Sequence, residues 1–179
     1  KVASDGTITK LAQLENETSY LWRNDLLKMY EDLYVLAYMN GSSHLNLHTL
    51  KIPTDGSSIT VAQRTKIDNY NRNKTDLIRL DKNTVLLSYE GYSSDGFIRS
   101  IDIAPDGTFT TVKTWEHDAE RGIMGSLVNV SPNIFALAYH GYRDHQNGGY
   151  SWGHKIITFS VDDDGENFKG IATLKHDTE

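Results

Sequence analysis

The sequence predicts an all-β chain: a β-propeller segment of three four-stranded antiparallel blades, preceded by one extra outer strand. Three observations carry that prediction. An Asp-Gly pair returns at Asp5-Gly6, Asp55-Gly56, Asp106-Gly107 and Asp164-Gly165, in steps of 50, 51 and 58 residues. A period of roughly 50 residues with several short strands per unit marks a propeller array. A small residue beside a tyrosine recurs at Ala37-Tyr38, Ser88-Tyr89 and Ala138-Tyr139. The composition is turn-rich and β-prone, with 10 Tyr and 14 Gly among 179 residues and only 38% apolar side chains.

Residues 5–16 read as the outer strand of a preceding blade, entered through the first Asp-Gly turn. The first full blade spans 24–69, with Leu26 to Met29 innermost, then Leu33 to Tyr38, His44 to Ile52 and Ile59 to Ile67. The second spans 75–118. Its Leu77 to Leu80 is a short inner strand, and Thr84 to Tyr89 is a nearly unbroken apolar run suited to the buried middle of a blade. Phe97 to Ile103 alternates as a half-covered strand does, and Phe109 to Trp115 is the outer strand. The third blade, 124–177, repeats the scheme with Ser126 to Val130, Ile134 to Tyr139, His154 to Val161 and Phe168 to Leu174. Its extra residues are expected in one loop, Gly141 to Gly153. Three blades do not close a ring that usually takes about four to eight. The segment therefore belongs to a larger propeller, or a homodimer closes the ring with about six blades.

Net charge is −6, and no stretch concentrates Lys and Arg, so nucleic acid is excluded as a partner. Apolar runs such as Ile134 to Tyr139 are far too short to span a bilayer. With no cysteine, the chain has neither disulfides nor thiol chemistry. It starts at Lys1 with no signal-like apolar stretch, which reads as a piece processed from something longer. The sequons Asn16-Glu17-Thr18, Asn40-Gly41-Ser42, Asn73-Lys74-Thr75 and Asn129-Val130-Ser131 favour an extracellular or cell-surface location.

The stretches Ala138 to Tyr142 (AYHGY), Ser94 to Thr110 (SDGFIRSIDIAPDGTFT), Trp115 to Ala119 (WEHDA) and Leu174 to Thr178 (LKHDT) carry a resemblance. The chain resembles the propeller arrays of predicted surface or secreted proteins of archaea and marine microbes. Their repeats read roughly A-Y-x-G, D-G-x-I-x-T-F, D-G-x-I-T and L-E-H-D-T. The likeness covers nearly the whole chain, and Leu14 to Thr18 and Lys66 to Tyr70 depart from the last motif. It implies an extracellular repeat domain and supplies no catalytic residues. WD dipeptides and the double-glycine kelch signature are absent.

Three groups are candidate sites. Polar clusters follow each outer strand, at Glu15-Asn16-Glu17, Asp68-Asn69, Glu116-His117-Asp118 and Lys175-His176-Asp177, and would recur around one face. There His117, Asp118, His176 and Asp177 could bind a cation or sugar hydroxyls. The bland reading, that they hydrogen-bond loop backbone and the neighbouring blade, weighs more because the clusters repeat with the structure. In the insertion, Tyr142, Tyr150 and Trp152 offer faces for stacking a sugar or peptide, and Arg143, Asp144 and His145 add directional polar groups. A solvent loop is its alternative. Val161 to Phe168 is similar to the Asp-box turn of sialidase-type propellers; its carboxylates suggest Ca²⁺ only weakly, since EF-hand spacing is not met, and no cofactor is expected.

Nothing groups three arginines or pairs two carboxylates for glycosidic cleavage, and no G-x-S-x-G, H-E-x-x-H or P-loop occurs. The expectation is a non-enzymatic module that binds carbohydrate or a protein surface, or that serves as surface architecture. The alternative is part of a sialidase-like or other glycoside hydrolase or lyase propeller.

Overall fold

The four recurring Asp-Gly pairs turn the chain for the same local reason, whereas Asp95-Gly96 leads straight into a strand. The aspartate accepts the N–H two residues on: Asp5 from Thr7 and Asp55 from Ser57 at 2.9 Å, Asp106 from Thr108 at 2.8 Å, Asp164 from Glu166 at 3.1 Å. The glycine takes the left-handed conformation, with φ between 70° and 95° in all four. The computed structural model describes residues 1, 4–15, 22–70, 74–144 and 150–175; for residues 22, 143, 144 and 150–152 it gives strand placement alone.

Twelve strands follow. The first blade consists of β1 (Trp22–Tyr30), β2 (Leu33–Met39), β3 (Leu45–Lys51) and β4 (Thr60–Asp68). The second has β5 (Asp76–Arg79), β6 (Thr84–Glu90), β7 (Gly96–Ile103) and β8 (Phe109–Asp118), with a single 3-10 turn at Tyr92–Ser94. The third has β9 (Ile123–Ser131), β10 (Ile134–Asp144), β11 (Tyr150–Val161) and β12 (Phe168–Lys175). Each set is one antiparallel sheet in sequence order, so the three expected blades are the three sheets observed.

Two details differ from the expectation. The insertion is not a loop over Gly141 to Gly153. Instead β10 and β11 lengthen together, pairing Gly141 with Gly153, Tyr142 with Trp152, Arg143 with Ser151 and Asp144 with Tyr150. Aromatic residues spaced by two favour a continued ladder once a hairpin is in register. Residues 4–15 contain one isolated bridge residue, Ile8, and no ladder. Even so, Leu11 packs against the Gly56 turn much as Ala62 of β4 packs against the Gly107 turn.

The blades stack face to face over two cores. Val35, Ala37, Leu45 and Leu47 meet Leu77, Val85, Leu87 and Ile101 in one; Leu86 and Ile98 meet Phe135, Leu137, Ile157 and Phe159 in the other. The small residue before Tyr89 has a steric role. Ser88 faces Gly125, where a β-carbon would lie 2.3 Å from the serine oxygen. Polar ties reinforce both joints. Asp25 accepts the Leu77 N–H at 2.6 Å, and Asp76 accepts the Leu127 N–H at 2.5 Å. Toward the rim, Thr49 donates to the Gly107 carbonyl at 2.5 Å and Ser100 to the Gly165 carbonyl at 2.6 Å.

Candidate functional site

Antiparallel sheets in sequence order put the connections after even-numbered strands at one end of the blades and the Asp-Gly turns at the other. The post-strand polar clusters and the β10–β11 hairpin therefore share an end, which makes it the place to look for a site.

Two of the repeated clusters are held by the blade joints. Between the first and second blades, the Tyr89 oxygen accepts from Arg99 Nη2 at 2.8 Å, and Arg99 Nη1 donates to the Ile67 carbonyl at 3.1 Å. Asp68 lies 4.0 Å from the same guanidinium. Burial pushes the Tyr89 hydroxyl up to about 12 against the opposing pull of Arg99. Between the second and third blades, Tyr139 donates to Asp118 Oδ2 at 3.0 Å and Lys155 Nζ to the same oxygen at 2.8 Å. The other carboxylate oxygen takes the N–H groups of Glu120 and Arg121, both at 3.0 Å. Burial alone would raise the Asp118 carboxyl, but these donors outweigh it and hold it below the usual value.

His117 lies edge-on to Tyr139 at 4.8 Å, in a space left by Gly96 and Gly122. Burial drives its imidazole down to about 4 despite the neighbouring Asp118 carboxylate, so it is neutral at physiological pH. In the first blade Tyr38 meets His48 Nε2 at 2.9 Å. Asp162 to Asn167 likewise forms an Asx turn: Asp162 accepts from the Glu166 and Asn167 N–H groups and from the Asn167 side chain. Among the described residues, no three His, Asp or Glu gather as metal ligands.

The open groups lie beside these joints. Tyr70, Glu90, Gly91, Tyr92, Ser93 and Ser94 line a cleft of about 230 Å³. Tyr70 and Tyr92 meet edge to face at 4.9 Å and remain 41% and 65% exposed. The cleft wall is shaped by two serines in left-handed backbone, Ser93 at φ 60° and Ser94 at φ 74°, a conformation that non-glycine residues adopt only under local constraint. One blade on, the Arg121 guanidinium sits 5.2 Å over the Tyr142 ring. Because the Arg121 N–H is bonded to Asp118, this residue links the polar cluster to the insertion.

Of the residues singled out from sequence, His117 and Asp118 come together with Tyr139 and Lys155 as a structural clasp. Tyr142 stacks with Arg121. Arg143, Asp144, Tyr150 and Trp152 take paired positions at the hairpin's end. His145, His176 and Asp177 lie outside the described residues. Sequence reasoning passed over Tyr70, Glu90 and Tyr92. One signal for Tyr92 was there: Gly91-Tyr92 and Gly141-Tyr142 stand 50 residues apart, each following its second-strand tyrosine at the same offset.

No family model matches the chain, and no curated protein does. Among solved structures it is similar to the α-L-arabinofuranosidase Arb93A from Fusarium graminearum, determined in complex with an iminosugar inhibitor. The TM-score is 0.52 at 10% identity, over 86% of this chain and 50% of that one. The likeness is one of fold, to a β-propeller, and the chain spans about half the length of that enzyme.

Proposed function

We propose that this propeller segment is a non-catalytic recognition frame that takes a carbohydrate at the even-strand end of its blades, in an extracellular or cell-surface setting. One observation carries the reading: the exposed Tyr70–Tyr92 pair over a cleft floored by Glu90 and backbone. Two ring faces beside a few convergent polar groups suit the apolar face and hydroxyls of a sugar. Among the described cluster residues, Asp68, His117 and Asp118 lie in the joints between blades. Among the described residues the cleft is lined by a single carboxylate, whereas glycoside cleavage ordinarily takes two.

Calorimetric titration with a panel of oligosaccharides, arabinofuranosyl chains included, tests this. A glycan that binds should lose about tenfold in affinity with Tyr92→Ala, equivalent to about 1.4 kcal/mol, while the fold is unchanged. Trp152→Ala tests whether the insertion contributes. The reading fails if no glycan binds, or if binding ignores Tyr92.

The resemblance to an arabinofuranosidase favours a second reading, in which the segment supplies part of a hydrolase site. Glu90 is then the residue at stake. Release of arabinose from an aryl arabinofuranoside, abolished by Glu90→Gln, would establish that reading over the first.

A further inference from the structure

Three of the four Asp-Gly turns are seated on a neighbour. The Gly107 turn rests on the first blade, against Thr49, Leu33 and Ala62, and the Gly165 turn on the second, against Ser100 and Thr84. The Gly56 turn has Leu11 against it. The Gly6 turn has the same internal geometry, with Asp5 accepting the Thr7 N–H and φ at 84°, yet nothing lies within 4 Å of the place a β-carbon would take. Ile8 follows Gly6 at the interval by which Phe109 follows Gly107. Phe109 is 8% exposed between two blades; Ile8 is 79% exposed.

The matching seat is also open. Thr49 and Ser100 stand at bulges in the third strands, opposite Gln63 and Lys113. In β11 the bulge follows Thr158, opposite Ala172, so Thr158 holds the position of the seat hydroxyl. No Asp-Gly turn of the described residues rests on it. Ile171 stands where Ala62 does in the first blade and is 54% exposed, and Val128, Val130 and Leu174 are exposed on the same sheet. Among the described residues, one sheet edge thus carries an unseated turn followed by the exposed Ile8, and the third blade carries an unfilled seat bordered by the exposed Ile171.

We infer that a second copy of this chain docks head to tail. The Asp5–Ile8 turn of one copy sits on the third blade of the next, Thr158 donates to the Gly6 carbonyl, and Ile8 packs by Ile171 and Ala172. The joint continues the intrachain blade joints at the rim. It is heterologous, so it propagates to a ring or an open chain according to the rotation per copy. A turn and one isoleucine bury much less than the roughly 1,200 Å² of a stable interface, so association is weak and rises with concentration.

The chain has no cysteine, which makes cross-linking selective. Ile8→Cys and Ala172→Cys change exposed positions and leave the cores intact. Treated with a short bismaleimide, an equal mixture of the two variants should give at least about tenfold more cross-linked dimer than either alone. Equal yields in all three samples would overturn the inference. Light scattering of the unaltered chain over a concentration series should show mass rising above one chain, and Ile171→Asp should abolish the rise. A single-chain mass at every concentration would also overturn it.

Discussion

The two blade joints solve one problem with different parts. Each gathers the second-strand tyrosine, the aspartate that ends the preceding outer strand (Asp68 in one, Asp118 in the other) and a cation. The first joint brings Arg99 from a position opposite Leu87; the second brings Lys155 from a position opposite Tyr139, on a different pair of the same hairpin. Arg99 bonds the tyrosine and a carbonyl and leaves Asp68 at 4.0 Å. Lys155 contacts its carboxylate directly, and Asp118 gathers four donors. Where the first joint has Ile67, the second has buried His117. The difference teaches that the repeat preserves an arrangement of charges and not the residue positions that supply them. It also concentrates polar dependence in the second joint.

Removing the acid from each joint should break the symmetry most visibly. Asp118→Ala leaves Lys155, the Tyr139 hydroxyl and two N–H groups without their acceptor. It should cost about 3–5 kcal/mol in urea unfolding, as loss of one partner of a buried pair does. Asp68→Ala should cost about 1 kcal/mol or less, because its ion pair is longer and more open. Equal costs would mean that the second joint is no more dependent on its carboxylate than the first.

The Asp-Gly turns sharpen the contrast between seated and unseated positions. Gly107→Ala combines a strained left-handed alanine with a β-carbon 2.5 Å from that of Ala62, and should cost about 3 kcal/mol. Gly6→Ala meets only the backbone penalty, about 1 kcal/mol, in a segment outside both cores. Circular dichroism melts of the two variants separate these outcomes.

His117 gives the second joint a pH response that Ile67 cannot give the first. Its folded value of about 4 lies below the ordinary 6.5, so the unfolded chain binds the proton more readily. The contribution of His117 is complete above pH 6.5 and is lost as pH falls toward 4, by about 3 kcal/mol in all. His117→Phe should flatten stability between those limits. Persistence of the slope in that variant would assign it to other groups.

Much of this fold was legible because strands and turns are local. The Asp-Gly pairs, the apolar run Thr84 to Tyr89 and the alternation of Phe97 to Ile103 each state their structure within a few residues. The insertion was less legible, since glycine and polar residues read as loop until the ladder from Ile134 to Asp144 carries the pairing outward. The site was least legible. His117 and Asp118 could be flagged by recurrence, but recurrence marks joints and ligands alike. Only packing shows that Lys155 and Tyr139, from another blade, take up that carboxylate.

The sequence by itself determined three four-stranded units, their order and the turns that define them, because hydrophobic period and Asp-Gly chemistry act over distances the chain sets directly. The tertiary structure alone decided which polar groups are spent on joining blades and which face solvent. That depends on contacts between residues far apart in sequence, such as Tyr70 with Tyr92 and Arg121 with Tyr142. Their encounter follows from the stacking of whole sheets, a property no single repeat contains.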